Sequence, residues 1–104
     1  MNVRITAPTI ELTEEMKMYI QKKVDMLEKY LGSIKATNCD FEVARSVGGQ
    51  NSGEIYRAEI SLNLPGGLLR VEKTEADVYK AIDKVKDHMA RSIKKYREKK
   101  LGIK

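Results

Sequence analysis

The chain has 104 residues, 41% of them hydrophobic and 34% charged, and a formal net charge of +5. That length suits one domain with one core and is too short for two, and the composition is that of a soluble globular chain, not a disordered one. One cysteine, Cys39, and one histidine, His88, exclude an internal disulfide and the usual cysteine and histidine metal sites, while no segment has the pattern of a membrane span or an export signal; a reducing, cytoplasmic setting is expected.

At the start, Val3, Ile5 and Ala7 alternate with Arg4 and Thr6, the period of a half-buried strand near 2–7 that Pro8 stops. Thr13 has the chemistry of a helix N-cap, and Glu14 and Glu15 suit the positive end of the helix dipole. Met16, Tyr19, Ile20, Val24, Leu27 and Leu31 then recur at helical spacing up to Gly32, which predicts a helix over about 13–31. Cys39, Phe41 and Val43 alternate with Asp40, Glu42 and Ala44, and Tyr56, Ala58, Ile60, Leu62 and Leu64 alternate with Arg57, Glu59, Ser61 and Asn63. Both are strands with one polar face. The glycine-rich segment 48–53 reads as the connection between them, and Pro65-Gly66-Gly67 as a turn into a further strand from Leu68 to about Lys73. Thr74, three residues before Asp77, resembles a capping box, and Val78, Ile82, Val85, Met89, Ile93 and Tyr96 form the apolar stripe of a second helix over about 75–98. Residues 99–104 read as a flexible tail. The expected fold is therefore α+β, in the order β-α-β-β-β-α, with a four-stranded sheet covered on one face by two helices.

The charge excess is local. Residues 1–74 carry ten basic and ten acidic side chains, whereas residues 75–104 carry ten basic and five acidic. On a helical wheel Lys80, Lys84, Arg91, Lys94 and Lys95 fall opposite the apolar stripe of the second helix, at spacings that can follow phosphates. In the first helix Lys22 and Lys29 face outward, and Lys23 falls on the flank of the stripe near Tyr19 and Tyr30. A polyanionic partner is one reading of this ridge; the other is ordinary solvated lysine on the outer face of amphipathic helices. Asp77, Asp83 and Asp87 interrupt the basic helix and fit capping and local pairing with lysines.

Catalytic chemistry has no residues to draw on. No Ser/His/Asp, Cys/His or metal-ligand arrangement can be assembled from one Cys and one His, so no catalytic residue, metal or cofactor is expected. Cys39 reads as core and His88 as surface. The 48–53 loop lacks the Lys-Ser/Thr of a phosphate-binding loop, and the strands lack an exposed aromatic pair for stacking bases.

The run Pro65 to Glu72, then Asp77-Val78-Tyr79-Lys80-Ala81-Ile82-Asp83, then Asp87 and Arg91 to Lys95, resembles the ribosome hibernation-promoting factors, a family that includes the ribosome-associated inhibitor A proteins. The likeness extends to Val3-Arg4-Ile5 and to Tyr19-Ile20 and Leu27 to Tyr30; the Asp-x-Tyr-x-Ala-Ile-Asp segment is its most specific part. The resemblance implies the β-α-β-β-β-α fold, similar to a double-stranded-RNA-binding domain with an extra first strand. It also implies binding to the small ribosomal subunit and its rRNA in the decoding channel, across the messenger and transfer RNA sites, with inhibition of translation in idle cells. Lys22, Lys23, Arg91 and Lys95 inherit the rRNA contacts most directly. His88 and Ser92 depart from the lysine and glutamine common there. Long members carry a further dimerisation domain, and the chain is compatible with a short form or with the first domain of a long one. A monomer that does not bind membranes is expected, with another factor as a candidate partner in joining ribosomes. A general structured-RNA-binding module is the alternative function, and a module acting on a transcription factor is a third.

Overall fold

A computed structural model describes residues 1–46, 55–100 and 102, and shows six elements: β1 (Asn2–Thr6), α1 (Glu14–Leu31), β2 (Asn38–Ser46), β3 (Ile55–Leu64), β4 (Gly67–Glu75) and α2 (Val78–Lys100). The expected order is present, and the strands form one sheet in the order β1-β2-β3-β4. β1 runs parallel to β2, with Ile5 opposite Phe41, because α1 carries the chain back between them; β2, β3 and β4 are antiparallel neighbours. The glycine-rich segment 48–53 lies outside the described residues.

The β3–β4 turn follows from its residues. Leu64 pairs with Gly67, leaving Pro65 and Gly66 as the two central residues. Proline presets φ at the first, and Gly66 takes φ +82° at the second, the sign that a type II turn demands there. With the register thus fixed, Ala58, Ile60 and Leu62 of β3 meet Val71 and Leu69 of β4 on one face, beside Cys39, Phe41 and Val43 of β2.

Both helices cover that face. Met16, Ile20, Val24, Leu27 and Leu31 of α1 and Ala81, Ile82, Val85, Met89 and Ile93 of α2 are buried in the same cluster as the strand residues. Thr13 caps α1 as its sequence suggested, its hydroxyl accepting from the Met16 amide at 3.1 Å, and Gly32 ends the helix at φ +61°. Cys39 is fully buried, and burial pushes its thiol up to about 11, so it is a core side chain with little thiolate character.

Two expectations at the start of α2 are corrected. β4 continues to Glu75, which pairs with Tyr56, so Thr74 lies in the sheet ladder opposite Arg57 and does not cap the helix. The cap is Asp77: its carboxylate accepts from the Tyr79 amide at 2.7 Å and the Lys80 amide at 3.4 Å, leaving Val78 as the first helical residue. At the other end α2 reaches Lys100, so the first two residues of the expected tail are helical; 101, 103 and 104 lie outside the described residues.

Candidate nucleic-acid interface

Charge is divided between the two sides of the molecule. α2 alone holds nine basic and three acidic side chains, whereas α1 holds four of each. The open face of the sheet, by contrast, neutralises itself. Arg57 reaches Glu42 at 2.6 Å and Glu59 at 3.1 Å, Arg70 reaches Glu59 at 2.8 Å, and Arg4 lies 3.7 Å from Asp40. The Glu42 hydrogen bond, with help from the neighbouring carboxylates, holds the Arg57 guanidinium above its usual pKa despite partial burial. A face whose arginines are already paired with carboxylates across neighbouring strands has little net field to offer a polyanion.

The helical layer carries the free charge. Lys80, Lys84, Arg91, Lys94 and Lys95 are all exposed on α2, and Lys22 and Lys29 are exposed on α1, two turns apart. Of these, Lys84 leans to the sheet side and pairs with Glu75 at 3.3 Å. The remaining six project from the layer as the sequence suggested.

Lys23 is different. It lies between the helices, its ammonium 3.1 Å from the Asp83 carboxylate and 4.7 Å from the centre of the Tyr19 ring. Tyr19 donates to the same Asp83 oxygen at 2.6 Å and meets Tyr79 edge-on, ring centres 4.9 Å apart. Asp83 therefore pairs across the helix interface and not with lysines of its own helix. Partial burial works against its charge, but the Tyr19 hydrogen bond and Lys23 outweigh it and keep its pKa below the ordinary carboxylate value. Lys23 thus adds a fixed, largely compensated cation to the groove between the helices.

Two further basic residues were not singled out from sequence. Lys86 is 92% buried, standing on the apolar stripe four residues after Ile82, with its ammonium 2.8 Å from Asp87. A lysine at a core position of a helical wheel was the available signal. Arg97 crosses to α1 and donates to the Tyr30 carbonyl at 3.2 Å, satisfying a carbonyl that the end of that helix leaves unpaired. Nothing in a linear pattern marks that contact.

His88 corrects another expectation. It is half-buried beside β4, and its Nδ1 has no partner among the described residues. Burial, with the nearby charges of Lys73, Arg91 and Lys95, lowers its pKa and keeps the ring neutral at neutral pH.

Among the described residues no cluster of side chains could hold a metal ion, and no helix is long and apolar enough to cross a membrane. What the helical layer offers is a row of point charges, a groove between two helices that run in the same direction, and a floor that the core holds in place.

Comparison with known proteins places this arrangement. Residues 3–101 match the family described as Sigma 54 modulation protein / S30EA ribosomal protein. The ribosome hibernation promotion factor of Deinococcus radiodurans is 34% identical over 94 residues, covering 90% of this chain and 48% of that protein. The ribosome hibernation promoting factor of Escherichia coli K12 is 25% identical over 99 residues, covering 95% of this chain and 96% of that protein. The chain therefore spans about half the length of the first of these relatives and nearly all of the second. The crystal structure of the Thermus thermophilus Protein Y N-terminal domain superposes with a TM-score of 0.76 at 30% identity, over 92% of this chain and 99% of that one.

Proposed function

The chain belongs to the Sigma 54 modulation protein / S30EA ribosomal protein family, and on that premise we propose that it is a ribosome hibernation factor, binding the small ribosomal subunit in its decoding channel. There it blocks the messenger and transfer RNA sites and inhibits translation in idle cells. The observation that carries the reading is the charge division: nine basic against three acidic side chains on α2, opposite a sheet face whose arginines are paired. Counterion release from phosphates rewards such a surface, and a folded helix supplies it at fixed spacing. The names of the Deinococcus and Escherichia relatives point the same way.

In this reading Lys22, Lys29, Lys80, Arg91, Lys94 and Lys95 meet rRNA phosphates directly. Lys23 and Lys84 contribute from the groove and the sheet side, each sharing its charge with a carboxylate. The chain acts as one ribosome-binding domain, non-enzymatic and monomeric, since the apolar stripe of each helix is already spent on the sheet. Light scattering checks the last point: a concentration-independent dimer contradicts it.

Sedimentation with purified small subunits tests the whole. Co-migration that transfer and messenger RNA displace supports the proposal. Co-migration that neither displaces, with equal affinity for isolated RNA duplexes, favours a general structured-RNA-binding module.

A further inference from the structure

Near the C-terminal ends of the two helices the basic layer opens into an apolar groove of about 560 Å³. That lies within the range, roughly 300–1,000 Å³, that small-molecule-sized groups occupy in proteins. Ala90 and Ile93 of α2 line it on one side and Tyr30 of α1 on the other, and Arg91, Lys94 and Arg97 bring three cations to it against the single carboxylate of Glu98. The Tyr30 side is open to solvent: Tyr30 is 39% exposed and Met26, one turn earlier on the same helix, 37%. The Arg97 guanidinium is held beside Tyr30 by its bond to the Tyr30 carbonyl. An exposed tyrosine whose own carbonyl holds a guanidinium, in a groove edged by three cations, is a combination that phosphate attraction alone does not require.

We propose that this groove receives one unpaired base of the bound RNA, stacked on Tyr30, with the adjoining phosphate held by Arg91, Lys94 and Arg97. The proposal rests on the ribosome-binding reading and adds a contact that reads base shape to contacts that read only charge. An unpaired nucleotide offers a flat, neutral base to Tyr30 and a negatively charged phosphate beside it, which matches an apolar groove edged by cations. A protein segment in the groove would need acidic residues around an apolar anchor; it is the competing occupant that the test separates.

Two measurements decide it, both on the full chain. The first is affinity for purified small subunits. Tyr30→Ala lowers it roughly tenfold, in the range of one lost base–aromatic stack, and Tyr30→Phe preserves it. The dependence on salt stays unchanged in both, because no phosphate contact is removed. The second uses an RNA hairpin with a single bulged 2-aminopurine, followed by its fluorescence. The wild-type chain and Tyr30→Phe change the emission on binding, and Tyr30→Ala does not. Subunit affinity untouched by Tyr30→Ala overturns the base site and leaves the ribosome reading standing. A loss of affinity with the hairpin bound by anisotropy but silent in fluorescence overturns the base site in favour of a protein segment, and a hairpin that the chain does not bind overturns it as well. Failure of the wild-type chain to bind subunits at all removes both proposals.

Discussion

Tyr19 of α1 donates its hydroxyl proton to Asp83 of α2 at 2.6 Å, joining residues 64 positions apart in the chain. The bond ties the two helices to each other independently of the sheet beneath them, and the Asp83 oxygen that accepts it also holds Lys23. Tyr79, edge-on to the Tyr19 ring, fixes that ring from the α2 side.

Tyr19→Phe should therefore lower stability by about 1 kcal/mol, the usual net worth of a hydrogen bond to a charged group once partial solvent exposure is discounted. Equilibrium denaturation measures it. A spectroscopic signature accompanies the loss. The Asp83 hydrogen bond, with burial, pushes the Tyr19 phenol from 10.0 up to about 12. Because the folded value is raised, the stabilisation is complete below pH 10 and disappears as pH rises toward 12. Absorbance titration should show the Tyr19 phenol ionising late, and Asp83→Asn should move it back toward its ordinary value.

Arg91→Gln and Lys95→Gln each remove one charge from the exposed face of α2, and Arg4→Gln removes one from the open face of the sheet. If only the summed field matters, the three should weaken binding to small subunits alike. Under the proposed function the α2 variants lose more and each lowers the slope of log affinity against log salt by roughly 0.7–0.9. Their exposure keeps folding stability within about 0.5 kcal/mol of wild type. Equal losses in all three would remove α2 from the interface.

Arg57 is the wrong site for such a control, and the reason is itself testable. Its guanidinium lies between Glu42 and Glu59, with only 24% of its side chain exposed. Arg57→Gln should cost about 1–2 kcal/mol by leaving the half-buried Glu42 without its cation and Glu59 with Arg70 alone. Thermal unfolding should fall accordingly, whereas Arg4→Gln, at 78% side-chain exposure, should leave it nearly unchanged.

His88 should titrate below 6.5, followed by the proton shifts of its ring. With the folded value depressed, its contribution to stability is present above 6.5 and is lost as pH falls through the folded value. Lys73 on β4 and Arg91 and Lys95 on α2 are the cations that, with burial, oppose its protonation. Arg91→Gln should raise the ring's pKa; an unchanged titration would mean that burial and the other two cations set it without Arg91.

The sequence made the fold legible because alternation and helical spacing were unusually clean. The positions from Tyr56 to Leu64 and from Val78 to Tyr96 sorted themselves by period alone, and Pro65-Gly66 announced its turn. Thr74 misled because a strand register decided by its partner, Arg57, outweighed a local capping signal. The outward cations of both helices were readable from a helical wheel. Lys86, a lysine on the apolar stripe, was readable there too; Arg97 and the Tyr19–Asp83–Lys23 cluster were not, since a wheel knows nothing of the neighbouring helix.

α2 is the last of the six elements to be synthesised, yet it is tied to parts made well before it: Tyr96 donates to the Pro65 carbonyl in the β3–β4 turn, and Arg97 to the end of α1. Until it emerges, the apolar face of a finished sheet has only α1 to shelter it. Core closure and the appearance of an ordered basic ridge are therefore a single event in the life of a nascent chain. An unfinished copy would hold apolar strands open to association, and it would present its basic ridge only when the segment that completes its core has been made.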